Sequence, residues 1–305
     1  MKASSLVAPL ALLLGAAGLV GLDRLVDRHP PFRGQLVESI EAWRPDAARK
    51  QALILGTCLS EQHILLPELQ AALPPDWQVH NVGAPSTTPV EWYFAFKNRL
   101  GQAPVGALVI AYGRFDLTEP ANAWETETFD LATDQDLDEL LGQVCETSEC
   151  KLDLRLRRAS ALWRYRPVLG AMAWQRLGMA SGNPDEARAR LRVVEGLRDR
   201  SAEVWDTESP SVLYLRRLVD LARQRGAEVI FLPLPLRPDQ PDRHQSEARA
   251  ALGRGLEELV EQTGSTRLSP PELPAEVFQD EVHLHGEGAA LFTQWLAEAL
   301  PPLLR

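Results

Sequence analysis

Positive charge and cysteine are both scarce in this chain. Lys and Arg number 32 against 42 Asp and Glu, a formal net charge of −10. That deficit argues against nucleic acid as a partner, because phosphate binding needs a cationic face. It argues equally against an anionic membrane surface as the main attraction. There are three cysteines, Cys58, Cys145 and Cys150. None lies near the N-terminus, which argues against a lipid attached to a cysteine there. No internal repeat and no low-complexity tract is present, which sets aside repeat architectures.

One absence is local. Residues 3–22 carry no charge, with Lys2 before them and Asp23 after. Twenty helical residues span about 30 Å, the thickness of a bilayer core. The segment is therefore expected to be a transmembrane signal anchor, 1–22, and Lys2 favours a cytoplasmic N-terminus with the remainder outside, on the periplasmic or extracellular side. A cleaved signal peptide, cut near Gly15-Ala16-Ala17, is the alternative. The apolar run continues to Leu22 without a clean small-x-small site, so the uncleaved anchor is preferred. Residues 23–48 are charged, are broken at Pro30-Pro31, and read as a stalk.

The remaining residues suffice for one large domain or two small ones. Hydrophobic residues make up 45% and charged residues 24%, enough for a sizeable core. Short strands are expected at Ala52–Leu55, Gln78–Val82 and Ala107–Ala111, the first and last of them apolar, and each ends close to a glycine, at Gly56, Gly83 and Gly113. Helical patterns fall between them: Pro67 opens one, and 89–100 is another. The alternation returns with a helix over 211–225, Gly226 at its end and a strand over 227–232, and a last helix is expected at 287–300. Strands alternating with helices predict an α/β domain over 49–305, its parallel sheet covered on both faces. Functional residues of such sheets gather at the carboxyl ends of the strands, where these glycines lie.

Residues 120–205 break the alternation and read as a mostly helical insertion. From 121 to 150 there are nine acidic residues and no basic one; from 151 to 179 there are seven basic and one acidic. The preferred reading is a helical hairpin whose halves neutralise each other; the alternative is a face with Trp163, Tyr165 and Trp174 resting on a membrane or an anionic glycan. Cys145 and Cys150 enclose four residues and form the natural disulfide pair, the alternative being two free thiols on one helical face. Cys58 is then left over, and a leftover cysteine in an exported protein is a candidate reactive thiol.

The chemistry concentrates in four blocks: Gly56-Thr57-Cys58-Leu59-Ser60, Asn81-Val82-Gly83, Gly113-Arg114-Phe115-Asp116, and Asp280-Glu281-Val282-His283-Leu284 followed by Gly286-Glu287-Gly288. A nucleophile on a tight turn after a strand is presented to substrate. A histidine must accept its proton, and a carboxylate must hold that histidine in the useful tautomer. Asp280 and His283 are close enough in sequence to do this within one turn. Backbone N–H groups near Cys58 and at Gly83 could meet a developing oxyanion. His283, His285 and Asp280 can also be read as metal ligands, but no further His or Cys cluster supports a closed site.

In order and spacing these blocks resemble those of the SGNH (GDSL-like) hydrolase family, over residues 52 to the C-terminus with 120–205 inserted. The resemblance implies a three-layer doubly wound parallel sheet (SGNH/flavodoxin-like). It implies a site of Cys58, His283 and Asp280, with Gly83, Gly113, Phe115 and Ser60 at the oxyanion and substrate side, and no metal or organic cofactor. Two positions depart from the family pattern: Cys58 stands where the family has serine, and Phe115 where it has the asparagine whose amide is an oxyanion donor. Losing one such donor typically costs about 10²–10³ in turnover. Three readings follow. Cys58 is a thiol nucleophile, its pKa lowered by histidine and a helix N-terminus; or the site is a relic in a binding protein; or Ser60 is the nucleophile from a shifted turn. The first is preferred and the third ranks last. Anchored relatives modify envelope polymers, so the resemblance implies an ester hydrolase or acyltransferase. Its expected partners are the membrane through the anchor, an acylated glycan or other envelope polymer, and a membrane acyltransferase.

Overall fold

The computed structural model describes residues 4–30, 34–85, 87–113, 116–117, 126–145, 148–166, 207–238 and 246–304, with isolated positions at 169–170, 172, 176 and 205. Side chains of 4–15, 126, 144 and 246–249 lie outside the description. The chain forms two compact units, residues 1–33 with 138–197, and residues 34–137 with 198–305.

The second unit is an α/β fold built on a five-stranded sheet. Its strands are β1 (Lys50–Leu55), β2 (Trp77–Asn81), β3 (Val105–Tyr112), β4 (Glu228–Pro233) and β5 (Thr266–Arg267). All neighbours pair in parallel, in the order β2-β1-β3-β4-β5. Residues 51–55 of β1 and 107–112 of β3 are buried throughout, because these strands have neighbours on both edges and helices on both faces. Ala52, Ile54, Val109, Ala111, Ile230 and Leu232 face one way, onto Leu69, Phe292 and Leu296. The alternate residues Leu53, Leu55, Leu108, Ile110 and Phe231 are just as fully covered. Each such aliphatic side chain contributes roughly 1.5–3 kcal/mol on burial, so the centre of the sheet is the most strongly specified part of the molecule.

The helices begin where their sequences provide caps. The helix Pro89–Asn98 opens with Pro89 in its first turn and a capping box in which Thr88 and Glu91 satisfy each other's backbone N–H groups. Glu91 is fully buried; burial raises its pKa, against hydrogen bonds from Thr128 and Thr88. The helix Pro210–Gln224 opens on a Ser209 cap and stops before Gly226, whose φ of 82° closes it in the left-handed region. These two helices meet through Tyr93, Phe94 and Tyr214.

Part of the expected stalk belongs to the folded unit. Helix α2 (Gln35–Ala42) buries Leu36 completely, Trp43 after it is also buried, and the Leu36 N–H donates to Glu127. Two buried apolar side chains make residues 34–43 a packed element and not a free tether.

In the first unit a helix α1 runs from Ser4 to Arg28. Among the described residues no helix is long and apolar enough to cross a membrane, and the apolar run expected as an anchor lies largely where side chains are outside the description. Asp23 accepts from the Ser160 hydroxyl and the Leu162 N–H, and Val26 packs with Ala161 and Tyr165. Cys145 and Cys150 are joined by a disulfide, with Cα atoms 5.5 Å apart. Acidic and basic residues of the inserted stretch pair, as in Arg158–Asp138 at 2.7 Å and Arg157–Asp153 at 2.7 Å. Trp174 lies outside the described residues.

Candidate active site

The strand order reverses between β1 and β3: β2 lies to one side of β1, and β3 to the other. In open parallel sheets the crevice outside the carboxyl ends at such a reversal is where ligands bind. The turn Gly56–Cys58 after β1 meets the end of β3 there, with Gly113 and Asp116 just beyond that strand. They approach closely because Gly56 has no side chain; a Cβ there would lie 2.5 Å from the Ala111 carbonyl oxygen. Asp116 ties them together, accepting from the Gly113 N–H at 2.6 Å and from the Thr57 hydroxyl at 3.1 Å. Thr57 thus gives its side chain to Asp116 and makes no side-chain cap on helix α3 (Cys58–His63), of which Cys58 is the first residue.

Cys58 is half-buried and free, with its Sγ 3.8 Å from His283 Nε2. His283 Nδ1 lies 2.7 Å from Asp280 Oδ2, and Asp280 Oδ1 accepts the N–H groups of Val282 and His283 at 2.9 and 2.8 Å. One carboxylate therefore builds the turn and orients the ring. Burial works against the Asp280 charge, but these hydrogen bonds and the imidazole outweigh it and hold its pKa below the usual carboxylate value. The turn is a small hairpin: Phe278 pairs with Leu284, and Gln279 N–H donates to the His283 carbonyl. It lies against the first turn of the C-terminal helix, Gly286–Ala299. A Cβ at Gly288 would meet the Val277 carbonyl oxygen at 2.5 Å, so of the two glycines at that helix start, Gly288 is the one the packing requires.

The structure brings Cys58, His283 and Asp280 together and assigns other work to the remaining expected residues. Ser60 was expected at the substrate side. It is fully buried, and its hydroxyl donates to the Thr57 carbonyl at 2.8 Å, so it braces the turn. The Gly83 N–H, expected to face an oxyanion, donates to Asn81 Oδ1 at 3.0 Å. Glycine is needed at 83 because a Cβ would fall 2.0 Å from the Ser60 hydroxyl and 2.8 Å from the Thr57 carbonyl oxygen; what crowds it is the nucleophile turn, not a substrate. The Gly113 N–H is likewise taken, by Asp116. Phe115 and Arg114 lie outside the described residues. His285 caps the C-terminal helix, with Nδ1 accepting the Glu287 N–H and Nε2 against the Glu276 carbonyl, so both its nitrogens are engaged. Among the described residues no group of three acidic, His or Cys side chains is placed to hold a metal ion.

The thiol is not the low-pKa group expected. Burial raises the Cys58 pKa, and the negative charges of Asp116 and Glu61 add to this; the N–H groups of Cys58 and Leu59 pull the other way and lose. At neutral pH the sulfur is a thiol, and its proton must be removed by a base. Those same two N–H groups are backbone donors that act on the sulfur.

Two residues at the site were given no role by sequence reasoning. Asp116 was quoted as the end of the third block, and its position three residues after Gly113 at a strand end was the available signal. His63 is fully buried at the far end of α3. Five residues from Cys58, it carries no local pattern to reveal its contacts.

No protein-family model matches the chain, and no curated protein matches it. Solved structures do. TesA aligns with 14% identity and a TM-score of 0.45, covering 84% of this chain and 100% of its own. The acetylxylan esterase Axe2 from Geobacillus stearothermophilus aligns with 12% identity and a TM-score of 0.43, covering 83% of this chain and 96% of its own. Similarities of this extent assign no activity.

Proposed function

We propose that this chain is an ester hydrolase or acyltransferase of the SGNH type, with Cys58 as nucleophile, His283 as base and Asp280 as the group that orients the base. The observation that carries this reading is the continuous Cys58 Sγ–His283 Nε2–Asp280 relay, 3.8 and 2.7 Å long, at the carboxyl edge of the sheet. Because the thiol pKa is raised, His283 takes the Sγ proton as sulfur attacks the ester carbonyl, as a serine enzyme would do it. The Cys58 and Leu59 N–H groups meet the oxyanion. Collapse expels the alcohol, which takes the proton from His283 and leaves a thioester on Cys58. Water, or an acceptor hydroxyl deprotonated by His283, then attacks the thioester and releases the sulfur.

The substrate class is an acyl ester on a cell-envelope glycan or related polymer. The charge-free run 3–22 supports an N-terminal membrane anchor with the catalytic unit outside the cytoplasm, where a membrane acyltransferase would be a partner. A second reading, a binding protein of the same fold without turnover, draws support from the raised thiol pKa and from the Gly83 and Gly113 N–H groups already being occupied.

Thiol labelling of the full chain across pH, combined with p-nitrophenyl acetate turnover, separates the two. A nucleophile–base pair requires that His283→Ala slow both the labelling of Cys58 near neutral pH and the turnover. Labelling indifferent to His283, without turnover, selects the binding protein.

A further inference from the structure

One titratable group at the site has no part in the chemistry above. His63 is completely buried, yet it is polar and touches the turn that carries the base. Its Nε2 accepts the Leu284 N–H at 3.2 Å, and the Val282 carbonyl faces the same ring. These are the two neighbours of His283 in the chain. His63 therefore holds the turn at Leu284, next to the base, through Nε2 alone, its Nδ1 being buried without a hydrogen-bond partner, and it leaves the imidazole's working nitrogens directed to Cys58 and Asp280.

The other end of the linkage is equally defined. His63 is the last residue of α3 and Cys58 the first, so one six-residue helix bears both the nucleophile and the acceptor that holds the base turn. That helix end is itself fixed: Thr293 on the C-terminal helix accepts the Leu65 N–H at 2.9 Å and donates to the His63 carbonyl at 3.4 Å. The His63 ring sits edge-on to Phe292, centroids 6.3 Å apart. No covalent or strand pairing joins α3 to the 280–285 turn; the buried Leu284 bond does, beside the Cys58–His283 contact and an exposed bond from Gln279 to Gln62.

We infer that His63 is a positioning residue for the base: by accepting the Leu284 N–H it sets the 280–285 turn, and with it the His283 ring, at working distance from the Cys58 sulfur. The inference rests on the reading of Cys58 and His283 as nucleophile and base. An acceptor at Nε2 requires a neutral ring with its proton on Nδ1. Burial, reinforced by the nearby His283, pushes the His63 pKa down to about 4, while the Val282 carbonyl and Asp280 work the other way. The acceptor lone pair is therefore present throughout the range in which His283 would act. A neutral apolar residue of similar size would fill the space and leave the Leu284 N–H buried without a partner.

The test uses the full chain with His63→Leu, which removes the acceptor, and His63→Gln, whose amide oxygen can replace it. Hydrogen exchange at the Leu284 amide reads the bond directly and needs no activity. The kcat and KM for p-nitrophenyl acetate, with the pH profile of Cys58 labelling, read its consequence. Exchange should accelerate in His63→Leu, kcat should fall by up to about 10² with little change in KM, as for a misplacement on the order of 1 Å, and the labelling profile should lose its His283 dependence. His63→Gln should restore all three. Leu284 exchange and kcat unchanged in a folded His63→Leu overturn the inference while leaving the nucleophile–base reading intact. Accelerated exchange in a protein whose Cys58 labelling never depended on His283 sinks that reading instead, and the positioning role with it. If His63→Leu does not fold, the native chain decides by NMR: the Leu284 amide shift must follow the His63 titration near pH 4, and a Leu284 resonance indifferent to it refutes the bond.

Discussion

The two turns that bear the reactive groups are held in opposite ways. The nucleophile turn, 56–60, is gripped from two neighbouring strands: the Ala111 carbonyl of β3 lies against Gly56, Asp116 after β3 holds Thr57, and Asn81 of β2 donates to the Ser60 carbonyl at 2.8 Å. The base turn, 280–285, stands at the surface, with the Asp280 side chain 50% exposed and that of His283 24% exposed, and is organised by Asp280 within itself and by His63 from outside. A nucleophile can be placed by the sheet because it follows directly from a strand. A base that arrives from the far end of the chain has to be placed by side chains. Errors in the first turn should therefore cost fold stability together with activity, and errors in the second should cost activity first.

The comparison can be broken most directly at the base. Replacing His283 with Ala should lower ester turnover by about 10²–10⁴ with little change in melting temperature, since its ring nitrogens are directed to Cys58 and Asp280 at the surface turn; steady-state kinetics beside a thermal melt checks this. Cys58→Ser should retain measurable, His283-dependent turnover, because the native thiol also reaches neutral pH protonated. An inactive serine variant would indicate a preformed thiolate.

At the nucleophile turn, Gly83→Ala should destabilise the chain by about 1–3 kcal/mol through overpacking, measured by chemical denaturation. Combining it with Ser60→Ala removes the nearest clashing atom and should recover part of the loss. The Thr57 carbonyl at 2.8 Å prevents full recovery.

Between the two turns lies His63, and its effect is seen in pH. Its pKa falls from 6.5 to about 4 on folding, so between those values the unfolded chain binds a proton that the folded chain does not. Stability should therefore decline as pH falls from about 6.5 to about 4 and level off below, by an amount on the order of 3 kcal/mol. In His63→Gln that slope should be missing from denaturation midpoints measured across the range. The smallest effect on turnover is expected from reducing the Cys145–Cys150 disulfide, which belongs to the other compact unit. Opening so short a loop costs roughly 2 kcal/mol at most in chain entropy, and kcat under reductant should match the oxidised value.

Much of this was legible in the sequence. Short segments ending close to glycine marked β1, β2 and β3, and the spacing of Asp280 and His283 marked a local pair, because strands and turns are written in neighbouring residues. Segment 34–43 misled because its charged residues hid Leu36 and Trp43 as core contacts. Gly83 was read as an oxyanion donor, but its N–H goes to Asn81, and the atom that its missing side chain makes room for, the Ser60 hydroxyl, comes from another strand's turn. The sign of the thiol's pKa shift was misread for the same reason: the Asp116 charge arrives from β3, and burial is a property of the packed whole.

The sequence by itself determined the alternation of strands and helices, the cysteine in the turn after β1 and the acid–histidine pair before the last helix, since each depends on residues a few positions apart. Only the tertiary structure decided that Cys58 and His283, 225 residues apart in sequence, meet at 3.8 Å. It also decided that two expected oxyanion donors are occupied, and that a buried histidine holds the base turn. Each of these depends on which atoms long-range packing brings within a hydrogen bond and which it removes from water, and no local pattern encodes that.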